Sequence, residues 1–131
     1  MPTAITNANF NTAITAWLSN PTTAESTYGH ISNWDTSAVT SMKEAFRHNH
    51  NGVTANFNEA LSGWVTSAVT DMTSMFEGAS SFNKELKADV GGKWDVSSVT
   101  DMTNMFNGAT DFNQSVRNWR VGRGTILTDM F

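Results

Sequence analysis

A repeat constrains this chain more than anything else in it. Trp34 to Phe46 (WDTSAVTSMKEAF), Trp64 to Phe76 (WVTSAVTDMTSMF) and Trp94 to Phe106 (WDVSSVTDMTNMF) share one spacing of twelve positions, and Trp119 to Phe131 (WRVGRGTILTDMF) keeps it with an altered middle. The ranks align without gaps. Val39, Val69 and Val99 share one position, Thr40, Thr70, Thr100 and Thr125 the next, and Met42, Met72, Met102 and Leu127 another. Between these windows, Phe57-Asn58, Phe82-Asn83 and Phe112-Asn113 each open an F-N-x-x-[L/V] stretch closed by Leu61, Leu86 or Val116. Five extra residues sit between Phe46 and Phe57, around His48 to Gly52, and five between Phe82 and Trp94, near Asp89 to Gly92. Without them the unit is 25 residues, a length typical of leucine-rich-repeat arrays.

Within a unit, V-T-D-M-T-x-M-F carries apolar residues at i, i+3, i+6 and i+7, close to a helical face. The rank threonine suits an N-cap, and Asp71 and Asp101 suit the positive end of a helix dipole. Gly78 and Gly108 are placed to end such a helix. The second half of the F-N arm reads as a short strand pairing with its counterparts in neighbouring units. The expected fold class is therefore α/β, a short leucine-rich-repeat-like solenoid of about four 25-residue coils, each a short strand plus a short helix. Inward Trp, Phe, Met and Val build its core, and the asparagine after each phenylalanine bonds turn backbone.

Residues 1–27 form the expected N-terminal helical cap and linker, and residues 28–131 the repeats. Phe10, Ala13, Ile14, Trp17 and Leu18 share one face of a helix from about Asn7 to Ser19, stopped at Asn20-Pro21. No such cap follows the last unit, so either the array continues or another surface covers its open end.

Ile, Leu, Val and Phe are only about 19% of the chain, a range in which disorder must be weighed. Seven Met and five Trp supply the missing bulk, and a net charge of −4 is too small to favour an unfolded chain. The mild acidity argues against nucleic acid as the main partner, no apolar run reaches transmembrane length, and the start MPTAITNANF shows no export signal. Zero cysteines exclude a disulfide framework and a thiolate metal site.

His48 and His50 form an H-x-H, but no further ligands cluster with them, and a solvated loop is the better reading. Asp35, Asp95, Asp71 and Asp101 read as turn and helix-start residues rather than calcium ligands, since no D-x-D-x-D-G loop is present. Gly91-Gly92-Lys93 lacks the spacing of a phosphate loop, and no catalytic constellation appears, so neither an enzyme nor a cofactor is expected. The Thr36, Thr66, Ser37, Ser67 and Ser97 ranks raise ice binding, which needs a flat outward array that Val96 interrupts. Asn113-Gln114-Ser115 is a lone sequon whose asparagine already has a structural use. Arg117, Trp119, Arg120, Arg123 and Phe131 are the candidate partner-binding residues, because arginine beside an aromatic is favoured at interfaces.

The W-D-x-S-x-V-T-x-M-x-x-M-F pattern, with an A-I-x-x-W-L helix before Y-G-H-I-S-x-W-D, resembles the BspA-type leucine-rich-repeat surface protein family over roughly Tyr28 to Phe131. That resemblance implies cell-surface attachment and protein binding, a surface or secreted location, and no catalytic residue. The expected function is a non-catalytic interaction or scaffold module, a small subunit docked in a larger assembly through its open C-terminal end. The alternatives are an adhesin fragment and, less favoured, an ice-binding solenoid.

Overall fold

A computed structural model describes residues 2–88 and 93–131. The second five-residue insertion, near Asp89 to Gly92, and the Gly91-Gly92 pair lie outside the described residues.

The chain opens with α1 (Phe10–Ser19) and α2 (Pro21–Tyr28), followed by a single 3-10 turn at Ile31–Asn33. Asn20 stands between the two helices, and its side-chain oxygen accepts the Thr23 amide at 3.2 Å. Pro21 takes the first helical position, where its missing N–H costs nothing. The segment expected to be a linker after a stop is thus a second helix, because Asn-Pro ends one helix and starts the next. Phe10, Ala13, Ile14 and Trp17 bury the inner face of α1, and Phe10 meets Trp64 edge-on at 5.7 Å.

The α/β leucine-rich-repeat solenoid expected from the repeats is not the fold. Beyond α2 the described residues are mostly non-regular, with no α-helix and only the isolated parallel bridges Ser41–Asp71, Asp71–Asp101 and Asp101–Ile126. The physical reason lies in the backbone of the stretch read as a helix. Glu44, Ser74, Asn104 and Asp129 occupy one rank and all have positive φ, between 50° and 58°. A left-handed residue there forbids a continuous right-handed helix. It forms instead the third position of a tight turn, closed by Ala45 N–H to Met42 O at 3.1 Å and by the equivalent bonds at Met75 and Met105. The expected strand is absent as well, and the bridges fall in the supposed helix.

What the amides of that stretch do is pair forward. Met42, Glu44, Phe46 and His48 donate to the carbonyls of Asp71, Thr73, Met75 and Glu77 at 2.8–2.9 Å. Met72, Ser74, Phe76 and Gly78 repeat this onto Asp101, Thr103, Met105 and Asn107. Met102, Asn104 and Phe106 do so onto Ile126, Thr128 and Met130. Units therefore stack in register, each closed by its own turns and hydrogen-bonded to the next.

Side chains repeat the same register. Phe46, Phe76, Phe106 and Phe131 stack at 5.4–5.6 Å between centroids, beside a second pile of Phe57, Phe82 and Phe112 at 5.9 Å. The two piles touch at 4.3 Å (Phe46–Phe57) and 4.2 Å (Phe76–Phe82, Phe106–Phe112). Each later tryptophan reaches back across the unit below: the Trp64, Trp94 and Trp119 indole N–H groups donate to the carbonyls of Ile31, Leu61 and Leu86 at 2.8–2.9 Å. An aromatic ring of this size is buried without penalty only when its polar edge finds such a partner. Asparagines form a third ladder, Asn58 accepting from the Asn83 amide and Asn83 from the Asn113 amide, at 2.9 and 2.8 Å.

Candidate functional site

The fourth unit differs from the three below it. Its rank residues Val121, Ile126, Leu127 and Phe131 are the exposed large hydrophobic side chains among the described residues, and Phe131 is 70% exposed although it stacks on Phe106. In the lower units the residues that share the ranks of Val121, Leu127 and Phe131 are buried, whereas Ser41, Asp71 and Asp101, which share the rank of Ile126, are themselves exposed or half-buried. Arg117, Arg120 and Arg123 are exposed in the same unit, and none of them makes an ion pair among the described residues.

Trp119 sits differently from the arginines beside it. It is buried, stacks on Trp94 at 6.1 Å with a 4° tilt, and spends its indole N–H on Leu86. Its edge, with Arg117, Gln114 and Lys87, lines a groove of about 270 Å3 on the flank. Of the residues singled out in the sequence, the structure brings Trp119 and Phe131 to one ring, Phe106, at 6.2 and 5.4 Å. Val121, Ile126 and Leu127 were missed, although their departure from the Thr66, Asp71 and Met72 pattern was a visible signal.

A larger cleft, about 570 Å3, lies at the opposite end between residues 2–6 and the first unit, with Ile5, Tyr28, His30, Trp34 and Asp35 in its wall. Its polar groups are largely committed. Trp34 donates to the Gly29 carbonyl at 2.9 Å, and the His30 Nδ1 accepts from the Ser32 amide at 3.2 Å.

The aspartates close turns, as the turn reading requires, but start no helices. Asp35, Asp71, Asp95 and Asp101 each accept the amide two residues on, at 2.9–3.0 Å. Hydroxyl donors, Ser37 for Asp35, Ser97 for Asp95 and Thr103 for Asp101, together with those amides, hold the three carboxyls below their ordinary value of 3.8. A carboxyl depressed in the folded state stabilises it above the unfolded value, and that contribution disappears as pH falls through the folded value. Thermal scans should therefore show stability declining below about pH 4, and Asp101→Asn should flatten that acid limb. An unchanged acid limb in the variant would show that Asp101 carries none of it.

Thr36 and Thr66 are fully buried, their hydroxyls donating to the Val65 and Asp95 carbonyls at 2.8 and 3.0 Å, so they form no outward array. Thr70 caps no helix; its hydroxyl donates to the Thr40 carbonyl at 3.2 Å. The His48 to Gly52 insertion is more structured than a solvated loop. It turns through Asn49, Asn51 and Gly52 at positive φ and returns with Val53 in the core. His48 is exposed, the His50 Nδ1 is buried without a partner, and no group of three or more His, Cys, Asp or Glu converges among the described residues.

No helix among the described residues is long and apolar enough to cross a membrane. No curated protein and no solved structure matches the chain. One family model does match, over residues 4–131, and by that match the chain belongs to the family described as Mycoplasma protein of unknown function, DUF285.

Proposed function

We propose that the protein is a non-catalytic interaction module that docks through its fourth unit as a small subunit of a larger assembly. One observation carries this reading: the exposed apolar residues Val121, Ile126, Leu127 and Phe131 fall together in one unit, which also exposes Arg117, Arg120 and Arg123. Exposed apolar side chains together with arginine are a composition favoured at protein-binding surfaces. The non-catalytic part is supported by the use made of four acidic side chains, Asp35, Asp71, Asp95 and Asp101, each tied into a turn by the amide two residues on.

The test is cross-linking in the source cell followed by co-purification, with the wild-type chain compared with an Ile126→Asp/Leu127→Asp/Phe131→Asp variant whose fold is checked by circular dichroism. A stoichiometric protein species recovered with the wild type and lost from the variant is expected. Recovery of the same species with both overturns the assignment to the fourth unit.

The likeness of the Trp34–Phe46, Trp64–Phe76 and Trp94–Phe106 windows to BspA-type surface proteins favours a second reading. On it the protein acts at the cell surface or outside the cell, attaching to a protein ligand. Loss of ligand binding on substitution along the flank of the units, with the fourth unit intact, would select this reading over the first.

A further inference from the structure

The insertion between Phe46 and Phe57 carries a chemistry of its own. The chain has two Asn-Gly pairs, Asn51-Gly52 and Asn107-Gly108. Asparagine is most reactive before glycine, whose amide has no side chain beside it to hinder approach to the neighbouring side-chain carbonyl. The structure sets the two pairs apart. Asn51 and Gly52, at φ 54° and 81°, are the central residues of a turn closed by Val53 N–H to His50 O at 2.9 Å. Two left-handed residues at the centre of a turn favour this Asn-Gly sequence. Neither the Asn51 carbonyl nor the Gly52 amide has a hydrogen-bond partner among the described residues. Gly52 is exposed, and nothing lies within 4 Å of a carbon added to it. At the other pair, the Asn107 carbonyl holds the Gly78 amide at 2.8 Å, and a carbon added to Gly108 would meet the Gly78 backbone at 3.4 Å.

Attack on the asparagine side chain requires the peptide between the two residues to swing until its nitrogen faces Cγ. That rotation breaks an inter-unit bond at Asn107 and no backbone bond at Asn51. We propose that Asn51 is a self-modification site, deamidated by its own neighbour. The Gly52 amide nitrogen loses its proton to solvent and bonds to Cγ, the Cγ–Nδ2 bond breaks, and Nδ2 leaves as ammonia. Water then opens the cyclic imide to aspartate or isoaspartate. One water is consumed and one ammonia released, and nothing is oxidised or reduced. The product cannot keep the bonds that asparagine makes. Asn51 Nδ2 donates to the Asn11 Oδ1 of α1 at 2.9 Å and to the Ala45 carbonyl at 3.3 Å. A carboxylate only accepts, so the product sets an acceptor against two acceptors and adds a negative charge. The reaction therefore releases the insertion from α1. The bonds of Asn7 to Thr40 and the contact of Phe10 with Trp64 remain, which confines the release to the Asn11 face of the helix.

The full 131-residue chain is held at mildly alkaline pH, once folded and once in urea, and mapped at intervals by proteolysis and mass spectrometry. In the folded chain Asn51 should convert ahead of Asn107. In urea, where both are plain Asn-Gly pairs, the two should convert at similar rates. Gly52→Ala, with its fold checked by circular dichroism, should remove the lead of Asn51 and leave Asn107 the faster. Asn51→Asp installs one product directly and should speed amide hydrogen exchange in α1 about fivefold or more, the equivalent of one lost hydrogen bond. Asn107 converting first or equally fast in the folded chain, an undiminished lead of Asn51 in urea, or a lead that persists in Gly52→Ala overturns the assignment. Unchanged α1 exchange in Asn51→Asp overturns the release.

Discussion

Trp64→Ala lowers the free energy of unfolding by about 3–5 kcal/mol, the range for removing a large buried aromatic. Trp64 is fully buried, stacks on Trp34 at 6.0 Å, meets Phe10 at 5.7 Å and Phe46 at 5.6 Å, and holds the Ile31 carbonyl. It therefore joins α1, the 3-10 turn and two repeat units, and its loss opens a cavity where all of them meet. Trp64→Phe separates the two parts of its role. The ring is kept but the indole N–H is lost, which leaves the Ile31 carbonyl unpaired at a cost of about 1–3 kcal/mol. Urea denaturation with both variants measures this directly. Alanine at 64 with wild-type stability would mean that the ring does not lie at the centre of the core.

Phe76→Ala has an effect of the same size, about 3–5 kcal/mol, for a different reason. Phe76 lies between Phe46 and Phe106 at 5.6 and 5.5 Å, with Phe82 at 4.2 Å on its flank, and is fully buried. Removing it interrupts both aromatic piles at mid-length. Phe131 holds the same rank but has a ring only below it and is 70% exposed. Phe131→Ala should cost about 1 kcal/mol or less, as surface changes do. Near-equal effects at 76 and 131 would show that neither burial nor a second ring in the pile adds to the contribution of the phenylalanine.

The ranks of Trp, Phe, Met and Val were readable because a large apolar side chain at a fixed period has few places to go but inward. The turn use of Asp35 and the ladder use of Asn83 were readable for the same reason: short polar side chains at fixed positions serve the nearest backbone. The local conformation was not readable. Apolar residues at Val39, Met42, Ala45 and Phe46 fit a helix and fit a tight turn equally well, and only the sign of φ at Glu44 separates the two. Glutamate gives no hint of a left-handed backbone, whereas Asn104 in the same rank does. The second helix was hidden by reading Pro21 only as a stop, when Asn20 before it supplies a cap. In the fourth unit the arginines drew notice, but the exposure of Leu127 follows from what lies above it, which a rank alone does not encode, whereas Ile126 stands in a rank that Ser41, Asp71 and Asp101 keep at or near the surface.

The corner after the first phenylalanine of each unit has a consequence for altering this chain. Eleven positions separate Phe46 from Phe57 and six separate Phe76 from Phe82, yet the two ring pairs close to 4.3 and 4.2 Å. Loop length at that corner is thus uncoupled from the packing beneath it. Gly52 there has open space around it, with nothing within 4 Å of an added side-chain carbon. Because closure entropy grows only slowly with loop length, this corner suits grafting, as a display position for foreign peptides.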